Sequence, residues 1–549
     1  MDIEHTASPL ICDDVPMSTA AAETSPAEPA TGQRSSFIER RSAWILAAIV
    51  VLGAIPRVRQ LSSGTLYPDD AWVALTNHFG LSTSVHMLVT SPGFTLFTQW
   101  WTGLAPTTTW FDQLPDLVSS IAGIVAVYAL IRWNRLDRWV ALSGAALLAV
   151  STEATSFATH LKPYPDDVLL ACALLYAAER CRRSMSSRNL AVLAAVAGSC
   201  AAWSFSSAIV AAGAYLMVAL VWLRRREATA ALVLSGTAAM AVIGAIYLGI
   251  VHRQTTSSLA HYWHEHYLST SSIGSLLRSS RRAVNGVFGD QLAFTPHHML
   301  HLVGRIDEWV LLGLAIAGAL AALRQRLLSL CVLLVVVVCA LAHLIPLGSN
   351  RTDAYLFPAL LLLIGSGLAW TGRTVHRHAP RMVSIGLSAL GIVWLSACLV
   401  LNAAVPPRYP GGDLRHVADV ARTMVAAHPG TVLLIEGTAR WPWAYGEDPN
   451  VTLIFGQGFN TGYAPVSSRT SVVIMPASSA ETAFSARWAA THVAGASNLV
   501  TVAYNFPGLP EPTLIADALH RDCWVPGIPR KVTTYTVTPW HRLPQCVSR

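Results

Sequence analysis

Eleven apolar segments, each near the length of a membrane-crossing helix, constrain this chain more than any other feature. They run near 43–60, 116–133, 138–153, 167–180, 188–204, 207–223, 229–250, 306–322, 327–345, 353–371 and 382–402. About 20 residues of helix cross a hydrocarbon core. Blocks such as Leu327 to Ile345 and Val383 to Leu401 approach that length with no charged side chain at all. Only 13% of the 549 residues are charged, too few to cover a water-soluble protein of this size. The expected fold is therefore mainly α: a polytopic helical membrane protein, followed by a more polar C-terminal region.

Arginine sets the expected orientation. The formal net charge is +7, with Lys162 and Lys531 as the only lysines. The arginines collect in short loops: Arg132 to Arg138, Arg180 to Arg188, Arg224 to Arg226, Arg324 with Arg326, and Arg373 to Arg381. That pattern is a topology signal rather than a nucleic-acid footprint. By the positive-inside rule these loops are cytoplasmic, whereas loops 61–115, 154–166 and 251–305 lie outside. Arg57 and Arg59, at the outer end of the first span, are the exceptions. Residues 1–38, rich in Ala, Ser, Thr, Pro and acids, read as a disordered cytoplasmic tail rather than a signal peptide. Residues 39–403 form the membrane domain. An odd number of spans leaves residues 404–549 outside, in a plasma membrane protein. There, helix-like stretches (416–428, 480–494) alternate with strand-like ones (431–436, 471–475, 499–504), which predicts a small α/β domain. Cys523 and Cys546 share that domain, where a disulfide is permitted, and two free thiols are the alternative.

One tetrapeptide occurs twice: Tyr67-Pro68-Asp69-Asp70 and Tyr164-Pro165-Asp166-Asp167. Both copies fall at the outer face. Paired carboxylates there can act as general base, as metal ligands or as both. Pro-Asp-Asp before an apolar run is also an ordinary helix start, with Asp capping free N–H groups. His160 and Lys162 precede the second copy. A lysine at a membrane surface commonly snorkels, but beside acids it can hold a phosphate as a point charge. Arg351, before the tenth span, lies on the same face. The loop His261-Tyr-Trp-His-Glu-His-Tyr267, with Arg278, Arg281 and Arg282 after it, lacks the His-Glu-x-x-His spacing of zinc proteases. An amphipathic helix at the lipid surface is the favoured reading there, and short surface helices are expected at 71–79 and 94–101.

In this order the motifs resemble the GT-C superfamily of membrane glycosyltransferases, which use polyprenyl-phosphate-linked sugars. Pro68-Asp69-Asp70 is similar to the acidic motif of the family's first external loop. His160-Leu-Lys-Pro-Tyr164 is similar to the basic-x-Pro-Tyr stretch of the protein-mannosyltransferase-like and aminoarabinose-transferase-like branch. Trp263-His-Glu-His266 is similar to that branch's later aromatic segment, and Arg351 to Pro358 to its Arg-x-Tyr-x-x-Pro helix start. The likeness covers roughly residues 40–400. The Asp-Asp pair stands where many members have Asp-Glu, the Arg351 spacing departs, and the C-terminal domain matches no pattern.

The resemblance implies inverting transfer of a sugar from a polyprenyl-phosphate donor to an acceptor hydroxyl on an envelope glycan, glycolipid or protein, within the lipid bilayer. Asp69 or Asp70 would be the base; Lys162, Arg351, Arg281 and Arg282 would hold the donor phosphate. His160, Tyr164, Glu265 and His266 would bind substrate. A divalent cation (Mg²⁺, Mn²⁺ or Ca²⁺) on Asp70, Asp166 and Asp167 is a further expectation. The rival class, a lipid transporter or flippase, predicts charge at mid-helix and broken repeats. The spans are instead almost free of charge at their centres. A non-catalytic scaffold would explain the outer domain but not the paired acids.

Overall fold

Every expected span is helical in the computed structural model. It describes residues 31–61, 64, 66–79, 90–105, 108–252, 263–292, 301–323, 326–349, 352–404, 413–448, 450–455, 463–476, 490–505 and 511–543. The helices at the eleven spans are α1 (Thr31–Val58), α4 (Leu114–Trp133), α5 (Arg138–Val150), α6 (Tyr164–Arg183), α7 (Ser187–Trp203) and α8 (Ser207–Arg225), then α9 (Thr229–Ile246), α11 (His301–Ala321), α12 (Leu327–Leu341), α13 (Phe357–His378) and α14 (Arg381–Ala404). Among the described residues five helical stretches are long and apolar enough to cross a membrane by length and composition. Shorter apolar helices include α5 and α12. Large side chains such as Val233, Leu234, Met240 and Leu390 stay exposed on the bundle, an arrangement that suits lipid rather than water. The chain divides into two compact units, Met1–Trp44 and Ile45–Arg549. The first holds the start of α1, which begins at Thr31, ahead of the compositional boundary at residue 38. All that follows concerns the second.

Helix contacts in the bundle depend on small residues, as expected where lipid competes with side chains for apolar contact. At the crossing of α11 and α13, a Cβ added to Gly318 would lie 1.9 Å from the Leu363 carbonyl oxygen. One added to Gly367 would lie 1.9 Å from that of Leu314. Arg57, in the last turn of α1 and fully buried, ties three helices together. Its Nε donates to Ser120 Oγ on α4 at 2.9 Å. Nη1 donates to the Ala149 carbonyl at 2.8 Å and Nη2 to that of Leu148 at 2.9 Å. Those carbonyls end α5, where no intrahelical donor is left for them.

Among the described residues of the first long loop, α1 is followed by α2 (Pro68–His78), α3 (Pro92–Thr102) and a four-residue helical turn, Thr109–Asp112. Leu96 and Trp100 of α3 are exposed, in keeping with a surface helix. α2 differs from its expectation. Ala71, Val73, Ala74 and Leu75 are buried in one cluster with Leu414, Val417, Trp441, Trp443, Val502 and Tyr535 of the C-terminal domain. Its apolar face is covered by protein, not lipid. In the second long loop the amphipathic helix forms as α10 (Ile273–Val284), with Ile273 and Leu277 exposed.

The C-terminal domain contains α15 (Leu414–Ala426), β1 (Val432–Ile435), α16 (Arg440–Gly446), β2 (Thr452–Phe455), β3 (Tyr463–Val466) and β4 (Val472–Ile474). It continues with β5 (Asn498–Tyr504), α17 (Glu511–Arg521), β6 (Trp524–Pro526), β7 (Arg530–Val532) and β8 (Tyr535–Arg542). β1 lies parallel between β4 and β5; β8 runs antiparallel to β5 and carries β6 and β7 on its other edge. β2 and β3 form a separate antiparallel pair. The period of two along the strands sorts their side chains. Leu433, Ile435, Val500 and Val502 join the cluster around α2, whereas Leu434 and Leu499 pack with Ile515, Leu519, Trp524 and Trp540 on the other face. Four expected segments, 416–428, 431–436, 471–475 and 499–504, thus match α15, β1, β4 and β5; most of 480–494 lies outside the described residues. Cys523 is disulfide-bonded. Its expected partner, Cys546, also lies outside them.

Replacing Gly318 or Gly367 by Ala should lower the melting temperature in detergent by several degrees, because the obstruction is backbone rather than a movable side chain. Gly372→Ala, where an added Cβ meets nothing within 4 Å, should be neutral or slightly stabilising. Equal melting temperatures for all three variants would contradict this packing.

Candidate active site

The two acidic tetrapeptides both begin helices, as their Pro-Asp-Asp pattern predicts. Pro68 opens α2, and Pro165 sits in the first turn of α6. Tyr67 and Pro163 take the N-cap positions, neither with a side-chain cap hydrogen bond, and the aspartates stand in the first turns. The carboxylates of Asp70, Asp166 and Asp167 accept from other elements.

Asp70 is almost completely buried. Its Oδ1 accepts the Leu161 backbone N–H at 3.0 Å and lies 3.1 Å from His160 Nδ1. The loop that supplies both groups turns tightly, with the Lys162 N–H donating to the His160 carbonyl at 2.7 Å. A hydrogen bond to a carboxylate is roughly twice as strong as one between neutral groups, so the two motifs are firmly joined. The Tyr67 ring meets the His160 ring edge-on at 5.2 Å, and Phe157 flanks the imidazole at 5.0 Å. Phe157 in turn contacts Tyr164 at 6.0 Å. Asp69 sits beside Asp70 in the first turn of α2 and is only half-buried. Lys162 is buried, with Nζ 4.7 Å from the centroid of the Trp72 ring.

In the second motif, Asp166 Oδ2 accepts the Trp203 indole N–H at 2.7 Å, and Asp167 Oδ1 accepts the Ser206 hydroxyl at 2.7 Å. Ser119 and Ser204 bond to Asp166 and Asp167 respectively. The three carboxylates expected to share a divalent cation therefore turn to separate partners. Among the described residues no group of three His, Cys, Asp or Glu side chains is placed to hold a metal ion. No step of the reaction proposed below passes through one.

Asp116, in the first turn of α4, was missed by sequence reasoning. It is fully buried, neither carboxylate oxygen has a side-chain donor among the described residues, and it lies within Coulombic range of Asp166 and Asp70. Its only sequence signal was its place at the start of an apolar span, where an acid reads as a boundary. Asp112, just before α4, accepts the Tyr445 hydroxyl at 2.7 Å and so bonds the bundle to the C-terminal domain.

The structure thus joins Asp70 to His160, with Asp69 beside it, Lys162 on the Trp72 ring and Tyr164 linked through Phe157, whereas Asp166 and Asp167 bond to Trp203 and Ser206. Glu265, His266, Arg281 and Arg282 gather instead near the end of α12. Arg282 donates to the Glu265 carbonyl, the Leu347 N–H donates to the His266 carbonyl at 2.9 Å, and Arg281 is exposed. Arg351 lies outside the described residues.

Above α2, Tyr504 of β5 faces Tyr67 at 6.5 Å, and Tyr535 of β8 meets Tyr504 at 5.1 Å. Burial, and secondarily the Asp70 charge, push the Tyr504 phenol above its ordinary value. Burial and then Tyr504 do the same to Tyr535. Tyr535 also has a buried hydroxyl with no partner among the described residues.

No protein-family model matches the sequence, and no curated protein matches it significantly. Among solved structures the chain is similar to ArnT from Cupriavidus metallidurans in the apo state, at 13% identity and a TM-score of 0.49, covering 92% of this chain and 98% of that one. It is similar to the same protein bound to undecaprenyl phosphate, at 14% identity and 0.47, covering 91% and 98%. A third is the apo oligosaccharyltransferase of Archaeoglobus fulgidus, at 11% identity and 0.41, covering 75% and 64%.

Both phenols favour the neutral state in the fold, so the stability they carry is present below the ordinary tyrosine value of about 10 and is lost as pH rises beyond it. Alkaline unfolding followed by near-UV circular dichroism should therefore begin near pH 10 and be blunted in Tyr535→Phe. At neutral pH that variant should be more stable by about 1 kcal/mol, since it removes an unpaired buried hydroxyl. A loss of stability at neutral pH would mean that the hydroxyl has a partner.

Proposed function

We propose that the protein is an integral-membrane glycosyltransferase that moves a sugar from a polyprenyl-phosphate donor to a hydroxyl of an envelope acceptor on the outer face of the membrane. The observation that carries this reading is the junction of the two motifs. A buried carboxylate, an imidazole and the membrane domain's only lysine converge from loops about ninety residues apart. A helix start needs none of these cross-loop contacts.

In this reading Asp70 is the general base, with Asp69 beside it as the alternative. Oδ1 of Asp70 is held by Leu161 and His160, which fixes the carboxylate while Oδ2 takes the proton. The acceptor oxygen attacks the anomeric carbon as its proton passes to the carboxylate. The bond from that carbon to the phosphate oxygen breaks, and its electron pair leaves with the polyprenyl phosphate. A single displacement inverts the anomeric centre. Charge grows on the leaving phosphate, so a preorganised cation lowers the barrier. Lys162 supplies it, and Arg351 is a second candidate. Tyr164 and His160 line the same region, where they would contact the sugar. The N-terminus would be cytoplasmic and the C-terminal domain extracytoplasmic.

The direct test is release of free polyprenyl phosphate by purified protein supplied with a panel of polyprenyl-phospho-sugars and an envelope lipid extract. Asp70→Asn should lower turnover by about a hundredfold or more, the scale of general-base catalysis. Lys162→Met should raise the KM for donor more than it changes binding of the acceptor. Full turnover in both Asp69→Asn and Asp70→Asn would remove the base assignment. No release with any donor, with lipid movement unaffected by these variants, would favour a transporter.

A further inference from the structure

Lys162 has a long flexible stem, and such a side chain serves as a fixed counter-charge only if something holds it. One of its contacts reaches across two domains. Its Nζ lies 4.7 Å from the Trp72 ring centroid. Trp72 is stacked on Trp441 of α16, with centroids 6.1 Å apart and planes inclined by 23°. Arg440 Cζ in turn lies 4.6 Å from the Trp441 ring. Two cations are thus joined through two indoles. α16 is built for this contact: Arg440, Trp441, Pro442, Trp443, Ala444 and Tyr445 are all buried. Tyr445 locks the same short helix to the bundle through Asp112.

We infer that α16 of the C-terminal domain completes the donor-phosphate site, with Trp441 as a positioning residue that holds the Lys162 ammonium through Trp72. The purpose assigned to Lys162 rests on the proposed glycosyltransferase reading; the mechanical linkage does not. Trp441 touches no reacting atom. It fixes the plane of Trp72, and that plane offers the ammonium an electron-rich face at one place only. Tyr504, above Tyr67 and His160, gives the base a parallel support from the same domain. Both charged partners of the reaction would then depend on a domain outside the membrane.

The composition provides a clean test, because Lys162 and Lys531 are the only lysines and Lys531 is exposed. The full-length protein in detergent would be reductively methylated and the two sites compared by peptide mass spectrometry. In wild type Lys162 should react far more slowly than Lys531. Trp441→Leu, which keeps apolar bulk but removes the ring, should raise Lys162 labelling by about tenfold relative to Lys531, as expected for loss of a desolvated cation–π contact. Trp441→Phe, which restores a ring face, should stay within about twofold of wild type. Melting temperatures would confirm that each variant is folded. Unchanged Lys162 labelling in folded Trp441→Leu overturns the linkage whatever the protein's reaction.

The second measurement is binding of a polyprenyl phosphate to the protein in nanodiscs. Trp441→Leu and Lys162→Met should each weaken it by about tenfold, and the double variant should be no worse than either alone. Additive losses would overturn the positioning role. If Lys162→Met binds the phosphate as wild type does, the donor reading of Lys162 falls, and the labelling result still decides the linkage.

Discussion

The helix that carries the first acidic motif is held on one side by the membrane bundle and on the other by the sheet of the C-terminal domain, and the placement of Asp70 follows from that enclosure. Ala71, Val73, Ala74 and Leu75 are removed from both water and lipid. Burial of each Val or Leu contributes about 1.5–3 kcal/mol, ample to fix a short helix that would not persist alone in water. With α2 fixed, Asp70 meets the 160–162 turn, Trp72 meets Lys162, and Tyr67 meets His160. The surface loop drawn from sequence is in fact the seam between two domains.

Much of this was legible beforehand, for reasons that differ by element. The apolar helices were readable because lipid imposes a length and a composition on whatever crosses it. The strand segments at 431–436 and 499–504 were readable from their apolar, β-branched runs. The pairing of the two tetrapeptides was suggested by their repetition and shared face. Their contacts were not, because an aspartate at a helix start has the same local signature whether it caps the helix or reaches to another loop. Asp116 was hidden for the same reason. The docking of α2 was unreadable because a helix with one apolar face looks alike against lipid and against protein. The segment Trp441-Pro-Trp-Ala-Tyr445 gave no warning either, since its meaning lies in partners over three hundred residues away.

The electrostatics of the site follow from this packing. Asp70, Asp112, Asp116, Asp166 and Asp167 all lie buried in the first turn of a helix or just before one. Asp70, Asp112, Asp166 and Asp167 each have a hydroxyl, indole or backbone donor from another element. Neutral donors stabilise a carboxylate without supplying a counter-charge. His160 and Lys162 are the basic side chains of the turn that Asp70 meets.

Arg57 was one of two exceptions to the charge pattern of the loops, and its burial explains why. Its acceptors outside α1 are on α4 and α5, and the most distant, Ala149, is ninety-two residues further along the chain. While the chain is being made, α1 enters the membrane long before those acceptors exist. Until then a guanidinium is most stable in the hydrated headgroup layer, so α1 must first sit displaced toward the surface. It can settle to its final depth only after the C-terminal end of α5 has arrived to receive it. A single arginine therefore imposes an order of assembly: α1 is made before α5 but is finished after it.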